Sequence, residues 1–240
     1  MNIIKEHMLV VGGSSGIGRA AVQRFFPLFN VSVMARRANH LAELESLGVK
    51  TFAVDVTDSD ALSRSLDDVI DQNGKIDAMI YCAGMQLIKP LRNLKSADIC
   101  SLLGVNLVAP MLFVSAMASN RISSHDAVFC AITSVAGQRP EPGIVAYSAA
   151  KAGIEALIKG AAKELGPRRF VGVAPGWLDT EMTQAYGHIY SEKFQADLER
   201  RSPAGMATID SIVDTIEFLI SDRACHITGE VITVDGGAIL

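Results

Sequence analysis

The sequence predicts an α/β fold in which helices cover both faces of a parallel sheet. Short apolar segments alternate along the chain with longer segments whose apolar residues recur at helical spacing. The short segments are apolar on both faces, which is typical of buried parallel strands. Such alternation favours strand–helix–strand units and a doubly wound sheet.

Composition bounds the size and the partners of this fold. The chain has 240 residues, of which 49% are hydrophobic and 20% charged, and its net charge is −4. This length suits one large domain or two small ones, and the absence of a linker favours a single domain over residues 1–240. A mildly acidic chain of this kind does not indicate binding to nucleic acid or to an anionic membrane.

Two further absences in the sequence lead to expectations. No apolar run long enough to span a membrane is recognised, and the start lacks a signal-peptide pattern, so we expect a cytoplasmic protein. The cysteines are far apart and lack metal-ligand spacing, so no metal site is predicted. They are Cys82, Cys100, Cys130 and Cys225.

The first predicted strand, His7–Val11, leads into a glycine-rich turn and then a helix. The turn reads Gly12-Gly13-Ser14-Ser15-Gly16-Ile17-Gly18, which gives the spacing G-x-x-x-G-x-G. Backbone N–H groups and the positive end of a helix dipole form an anion site at such a turn. An ordinary flexible turn is the alternative, but the strand–turn–helix context favours a dinucleotide site.

The second predicted strand, Asn30–Ala35, ends at Arg36 and Arg37. In dinucleotide folds an acidic residue near this position holds the ribose 2′-OH, whereas arginine accommodates a 2′-phosphate. Ala35 stands where the acid is expected, so the sequence favours NADP over NAD. A solvated charge pair at the start of a helix is the alternative.

The next predicted strands are 50–56 and 76–84, with a helix over 58–74 between them. Asp55 ends the first of these strands, where it could meet an adenine edge or serve in a turn. A long helix follows at about 96–119, and Asn106 lies inside it, where asparagine is a poor helix former. It is either a polar residue on a solvated face or the site of a kink whose freed carbonyl holds a water.

The fifth predicted strand, 127–134, ends at Ser134, and a helix then carries Tyr147 and Lys151. Residues at i and i+4 share a helix face at about 5–6 Å. A nearby ammonium favours the phenolate and lowers a tyrosine pKa, which makes the phenol a usable proton donor. A chance pair, with a half-buried ring and an extended lysine, is the alternative.

A sixth strand, 170–175, ends in Pro175-Gly176, and the segment of about 177–205 is predicted to be an irregular, amphipathic lid with Trp177, Tyr186 and Tyr190. A helix over 210–220 and a strand over 230–234 complete the chain. All the candidate residues lie at strand carboxyl ends or at the start of the next helix, where ligands of such sheets bind.

Taken together, these motifs resemble the short-chain dehydrogenase/reductase family, in the branch of about 250 residues that includes 3-oxoacyl carrier-protein reductases. The resemblance covers essentially the whole chain. It rests on Gly12, Gly16, Ile17, Gly18, Asn106, Ser134, Tyr147, Lys151, Pro175-Gly176, Thr180 and the ending ITGEVITVDGG.

The resemblance implies a Rossmann-type sheet in the order 3-2-1-4-5-6-7 and hydride exchange between a nicotinamide dinucleotide and a carbonyl or alcohol. Tyr147 would be the general acid or base, Lys151 would lower its pKa and bond the nicotinamide ribose, and Ser134 would hold the substrate oxygen. The Asn106 backbone would hold a water that links Lys151 to solvent. The remaining cofactor contacts would come from Gly12, Ser14, Ser15, Gly16, Ile17, Gly18, Arg36, Arg37, Asp55, Val56, Cys82, Ala83, Gly84, Pro175, Gly176, Leu178 and Thr180.

The chain departs from the family pattern at two places. Val11 replaces a threonine, and Tyr81-Cys82 replaces two asparagines, so side-chain hydrogen bonds that brace the sheet are lost. The proton donor is untouched, so an active enzyme is expected. In this family the C-terminal segment packs across a subunit interface, which implies a homotetramer, with a homodimer as the alternative.

Several functions stay open. The resemblance implies a small carbonyl or alcohol substrate. A carrier-bound acyl group is one class, because Arg121, Arg168 and Arg169 fall near basic residues that such relatives use for an acidic carrier. Scattered surface charge is an equal explanation of these arginines. An NAD-dependent alcohol dehydrogenase and a non-catalytic dinucleotide-binding regulator are the alternatives.

Overall fold

The computed structural model describes residues 6–187 and 192–240, which contain one seven-stranded sheet. The strand order is β3-β2-β1-β4-β5-β6-β7 and every neighbouring pair is parallel, as predicted. The strands are β1 (His7–Val11), β2 (Asn30–Ala35), β3 (Lys50–Ala53), β4 (Ile76–Tyr81), β5 (Ser123–Ile132), β6 (Arg169–Pro175) and β7 (Val231–Val234).

Helices connect the strands and cover both faces of the sheet. In the described residues they are α1 (Gly16–Phe25), α2 (Ala42–Glu45), α3 (Ser59–Asn73), α4 (Ser96–Leu103), α5 (Ala109–Met117), α6 (Val135–Gln138), α7 (Val145–Glu164), α8 (Glu181–Gln184), α9 (Glu192–Arg201) and α10 (Ile209–Ile220). The segment Gly104–Val108, between α4 and α5, is π-helical.

Alternation along the strands builds two hydrophobic cores. Met8 and Val10 of β1 face one core, which α1, α2 and α10 close, whereas Leu9 and Val11 face the other, which α3, α5 and α7 close. Because β1 is buried on both faces, its carboxyl end is held firmly in the centre of the sheet. The glycine turn that follows β1 therefore starts from a fixed point.

The structure corrects the predicted strand ends. β3 ends at Ala53 and not at residue 56, and β4 ends at Tyr81 and not at residue 84. In each case the final residues leave the strand ladder at the carboxyl edge of the sheet. Those residues, among them Asp55 and Cys82, are candidate ligand contacts.

The lid segment of about 177–205 is more regular than predicted. It contains α8 and the ten-residue α9, where the sequence indicated an irregular chain. Residues 188–191 of this segment, Tyr190 among them, lie outside the described residues. Tyr186 anchors the lid, because its hydroxyl donates a hydrogen bond to the carbonyl of Gln86 at 3.0 Å.

The expectation that no segment is apolar enough to span a membrane is wrong for the helical run Ser96–Met117. Its mean hydropathy reaches 2.0 over 18 residues. Part of this run packs into the core, because Leu102, Phe113 and Met117 are fully buried and α5 packs into the same core as β4 and β5. Only 33% of the window is buried. One such helix is weak evidence for a membrane span, because helices that pack in a core pass the same test of length and composition.

Candidate active site

The candidate residues meet at the carboxyl edge of the sheet, beyond β1, β4, β5 and β6. The strand order places β1 and β4 side by side although β2 and β3 separate them in the chain. Connections from neighbouring strands leave to opposite sides at this point, which opens a crevice for a ligand. The glycine turn, Cys82 and Ser134 all lie at this edge.

The glycine turn is shaped by contacts that a side chain would block. A Cβ on Gly12 would lie 2.5 Å from the Ala83 nitrogen, and one on Gly18 would lie 2.3 Å from the Gly12 carbonyl oxygen. Gly12 and Gly16 have positive φ angles of 87° and 52°. The turn therefore brings its backbone close to the start of α1 and to the residues after β4.

The surroundings of Gly16 fit a dinucleotide pyrophosphate. A Cβ there would meet only the Thr180 methyl group, at 4.0 Å, so no other protein atom of the described residues crowds that side of the turn. Ile17 and Gly18 follow in the first turn of α1, whose free N–H groups point outward from the helix start. Gly12, Ser14, Ser15, Gly16, Ile17 and Gly18 would hold the phosphates.

Arg37 lies across the glycine turn. Its guanidinium donates hydrogen bonds to Ser15 Oγ at 2.7 Å and to Ser14 Oγ at 3.4 Å, and it pairs with Glu181 at 3.0 Å. Arg36 is exposed, and its positive charge helps to lower the pKa of Asp55. Both arginines thus lie just beyond the end of β2, and their contact with a 2′-phosphate stays a prediction.

Asp55 serves first as a turn residue. Its Oδ1 accepts hydrogen bonds from the Thr57 nitrogen at 3.0 Å and from Thr57 Oγ1 at 2.7 Å. These bonds are the main reason that its pKa lies below its usual value, and Arg36 adds a smaller effect. The turn alternative is therefore confirmed, and an adenine contact from Asp55 and the buried Val56 stays a prediction.

Lys151 is the most unusual charged group of the site. Its side chain reaches the carboxyl edge of β5 and donates a hydrogen bond from Nζ to the Ile132 carbonyl at 2.8 Å. The residue is only 4% exposed. Burial lowers the pKa of Lys151 to about 8, and the neighbouring Cys82 opposes this shift slightly.

Tyr147 lies one turn before Lys151 on α7, and the Lys151 Nζ is 5.6 Å from the centre of its ring. The tyrosine is half-buried. The helical spacing thus places the ammonium beside the tyrosine, as predicted from positions i and i+4.

Ser134 caps α6 and is held near this pair. Its Oγ accepts a hydrogen bond from the Ala136 nitrogen at 3.1 Å, which does not use the hydroxyl hydrogen. α6 lies tightly against α7, because a Cβ on Gly137 would come within 2.9 Å of the Ala152 nitrogen. Ser134 follows Ile132, the acceptor of the Lys151 hydrogen bond, by two residues.

Asn106 lies in the π-helical segment and is completely buried, so the solvated-face alternative is wrong. Its amide group ties two segments together. Oδ1 accepts from the Met85 nitrogen at 3.2 Å, and Nδ2 donates to the Met85 carbonyl at 2.8 Å and to the Leu102 carbonyl at 3.1 Å. The helix is thus interrupted by a π-helical turn at Asn106, and a freed carbonyl that holds a water there stays a prediction.

Gly84 lies between the side chains of Asn106 and Lys151. A Cβ on Gly84 would lie 3.0 Å from Asn106 Oδ1, 3.8 Å from Lys151 Nζ and 3.9 Å from Met182 Cε. A larger residue would therefore push on three parts of the site at once. The structure brings together the residues after β4, the π-helical segment, α7 and the lid.

Tyr81 was identified only as a departure from the family pattern, but it braces the site. Its hydroxyl donates a hydrogen bond to the Val105 carbonyl in the π-helical segment at 2.7 Å, and its ring packs against Phe113. Burial raises the pKa of Tyr81, so it stays a neutral donor. The side-chain bonds lost at this position are thus partly replaced.

Cys82, Ala83 and Gly84 line the edge between the glycine turn and Lys151. Burial raises the pKa of the Cys82 thiol, which keeps it protonated. Ala83 lies against Gly12. Among the described residues, no group of three or more His, Cys, Asp and Glu side chains could hold a metal ion.

The segment after β6 closes the other side of the crevice. Pro175 ends β6, and Gly176 lies against Asp235, where a Cβ would come within 2.8 Å of the Asp235 Cβ. Leu178 is buried, and Thr180 caps α8 with its backbone nitrogen bonded to Thr183 Oγ1 at 2.9 Å. Thr180 lies next to the glycine turn, because its methyl carbon is 4.0 Å from the place of a Cβ on Gly16.

The three arginines considered for an acidic carrier lie away from the site. Arg168 is buried and bonds Ser123 and Asn120, and Arg169 bonds backbone carbonyls around the end of α10. Arg121 pairs with Asp67. Arg168 and Arg169 are structural, so they give no support to a carrier-binding patch.

Comparisons with known proteins show which family the chain belongs to. The model of the family described as enoyl-(acyl carrier protein) reductase matches residues 11–238. The 3-oxoacyl-[acyl-carrier-protein] reductase FabG of Staphylococcus aureus is 30% identical over 240 residues, which cover 95% of this chain and 96% of that protein. The same enzyme of Thermotoga maritima is 30% identical, with 97% of each chain covered.

Solved structures show the same fold. A short-chain type dehydrogenase/reductase from Mycobacterium ulcerans has a TM-score of 0.89 and 27% identity, and the match covers 97% of this chain and 89% of that one. A 4-hydroxyisoleucine dehydrogenase complexed with NADH has a TM-score of 0.88 and 27% identity, with 98% of each chain covered. This chain is a member of the short-chain dehydrogenase/reductase family and an oxidoreductase acting on CH–OH or carbonyl groups.

Proposed function

We propose that this protein is an NADP-dependent oxidoreductase that exchanges a hydride between nicotinamide and a carbonyl or secondary alcohol through Ser134, Tyr147 and Lys151. The observation that carries the proposal is the buried Lys151 ammonium beside the half-buried Tyr147 ring, 5.6 Å from its centre. A cation in a site of low dielectric constant stabilises a phenolate strongly.

Each of these side chains has a defined part. Tyr147 donates its phenolic proton to the substrate oxygen during reduction and accepts it back during oxidation. Ser134 donates a hydrogen bond that holds the same oxygen. Lys151 stabilises the phenolate and binds the nicotinamide ribose, and the Asn106 backbone holds a water that links Lys151 to solvent.

The cofactor proposal rests on two features of the chain. The glycine turn leaves the side of Gly16 open, which supports a pyrophosphate there. Arg36 and Arg37 follow β2, and Arg37 bonds the serines of the turn, which supports these arginines as partners of a 2′-phosphate. The bound nicotinamide supplies or accepts the hydride. Leu178 and Thr180 would orient its carboxamide, and Asp55, Val56, Cys82, Ala83 and Gly84 would contact the adenosine half.

The substrate class we favour is a ketone or a 3-oxoacyl compound. The reductases of Staphylococcus aureus and Thermotoga maritima are named for 3-oxoacyl groups on a carrier protein, which supports this class. The alternative is an NAD-dependent alcohol dehydrogenase, which the 4-hydroxyisoleucine dehydrogenase complexed with NADH supports. A non-catalytic dinucleotide-binding regulator is a third candidate, and the intact serine, tyrosine and lysine argue against it.

We further propose one catalytic domain over residues 1–240, with the lid at about 177–205, that works in the cytoplasm as a homotetramer or homodimer. Val108 and Met111 of the segment around α5 are exposed, and an apolar groove runs between α5 and α7. Exposed apolar surface of this kind is typical of subunit contacts. Light scattering of the purified protein would determine the assembly.

The experiment that tests the function is a titration of the purified protein with NADPH and NADH, followed by a panel of ketones and 3-oxoacyl thioesters. We expect tighter binding of NADPH and its oxidation in the presence of at least one carbonyl compound. Tighter binding of NADH would favour the alcohol dehydrogenase. Failure to bind either dinucleotide would contradict the proposal.

A further inference from the structure

The ion pair between Arg37 and Glu181 connects the glycine-turn side of the crevice with the lid. Glu181 is the first residue of α8, and Arg37 follows β2, so 144 positions separate them in the chain. The Arg37 Nη1 lies 3.0 Å from Glu181 Oε2, while Nη2 bonds the two serines of the glycine turn. One guanidinium thus ties the lid to the cofactor site.

The Arg37–Glu181 ion pair is weak enough for another anion to replace Glu181. The Arg37 and Glu181 side chains are 39% and 56% exposed, and exposed pairs contribute little to stability. A phosphate monoester carries more negative charge than a carboxylate and offers three acceptor oxygens to the same guanidinium. A 2′-phosphate would therefore replace Glu181 as the partner of Arg37.

We propose that Glu181 is a specificity residue of the lid, which occupies Arg37 until a 2′-phosphate displaces it. The proposal deepens the proposed NADP function and rests on it. A ribose with a free 2′-OH carries no charge that competes for Arg37, so NAD(H) leaves the pair intact. NADP(H) breaks the pair, and the start of α8 is then released from the glycine turn.

Two consequences follow from this competition. Glu181 weakens the binding of NADP(H), because its carboxylate must leave the guanidinium and lies near the incoming phosphate. It does not weaken the binding of NAD(H). Binding of a 2′-phosphate also changes the surroundings of the lid, where Trp177 is the sole tryptophan of the chain.

Adenosine 2′,5′-bisphosphate and ADP test the proposal without turnover, because they differ in the 2′-phosphate and lack nicotinamide. Calorimetry and Trp177 emission would be measured for the wild type, for Glu181→Gln, and for Asp67→Asn. Asp67 forms a comparable exposed ion pair with Arg121, which lies just before β5 at the opposite edge of the sheet. It is the matched control.

We expect Glu181→Gln to bind the 2′,5′-bisphosphate about three- to tenfold more tightly than the wild type, with ADP affinity unchanged. Asp67→Asn should change neither affinity. The bisphosphate should alter Trp177 emission in the wild type more than ADP does. The gain in Glu181→Gln should shrink as the salt concentration rises.

An unchanged or weaker affinity of Glu181→Gln for the bisphosphate would overturn the proposal, and so would an equal gain for ADP. The test of the NADP preference is separate, since it uses the wild type alone. A wild type that binds ADP as tightly as the bisphosphate would contradict the preference, and a selective gain in Glu181→Gln would still support the role of Glu181.

Discussion

The Lys151 ammonium nitrogen lies 5.6 Å from the centre of the Tyr147 ring, and its hydrogen bond to the Ile132 carbonyl fixes it there. This arrangement ties the protonation of the tyrosine to a buried positive charge. The pH dependence of the reaction should therefore respond to Lys151 more strongly than to any other lysine of α7.

We expect Lys151→Met to move the pH–rate profile of alcohol oxidation to higher pH by about one unit or more, because the phenolate loses its neighbouring cation. The measurement is the oxidation rate as a function of pH. Lys159→Met, on an exposed position of the same helix, is the control and should leave the profile in place. An unshifted profile in an active Lys151→Met variant would refute the coupling.

Lys151 also makes stability depend on pH. Burial lowers its pKa from 10.5 to about 8. Between these values the unfolded chain binds a proton that the folded protein does not, so the free energy of unfolding rises with pH in this window. Denaturant unfolding of the ligand-free protein should show wild-type stability rising relative to Lys151→Met from about pH 8 to pH 10.5. A constant difference would contradict the shifted pKa.

Tyr81→Phe removes the hydrogen bond to the Val105 carbonyl and leaves a carbonyl of the π-helical segment without that donor. We expect a loss of about 1–3 kcal/mol in the free energy of unfolding, because the site is buried. Tyr186→Phe, which removes a comparable bond in the lid, should cost less. If the two variants were equally stable, Tyr81 would not brace the segment.

Arg36→Asp should shift cofactor preference toward NADH, because it places an acid where a ribose hydroxyl would bind and removes one cation from the 2′-phosphate site. Arg37→Gln should weaken the binding of NADPH and leave the binding of NADH nearly unchanged. The ratio of the two dissociation constants checks both variants. A ratio that stays at the wild-type value in both would show that the phosphate assignment is wrong.

Local sequence patterns predict many of the strands, turns and helices of this fold. β1 is apolar on both faces and is followed by glycines with positive φ at Gly12 and Gly16, so strand, turn and helix can be recognised together. Asp58, which accepts from Asp60 and Ala61, likewise marks the start of α3. These signals involve residues that are close together in the chain, so they can be recognised from the sequence alone.

The parts that sequence reasoning missed depend on distant partners. Tyr81 and Val105 are 24 positions apart, and Arg37 and Glu181 are 144 apart, so neither pair has a local signature. Helix α9 carries many charged residues and few apolar ones, so little apolar surface marks it as an element of the core. The exact strand ends at Ala53 and Tyr81 follow from ladder pairing, which the sequence does not display.

The central claim is that Tyr147 transfers the proton of a hydride-exchange reaction, and Tyr147→Phe tests it most directly. NADPH consumption would be followed by the absorbance of the reduced nicotinamide, for the wild type and the variant, with the best carbonyl compound of the panel. The affinity of each protein for NADPH would be measured as well. We expect the variant to bind NADPH as the wild type does and to lose about a hundredfold or more in turnover. Equal turnover in the two proteins would contradict the account.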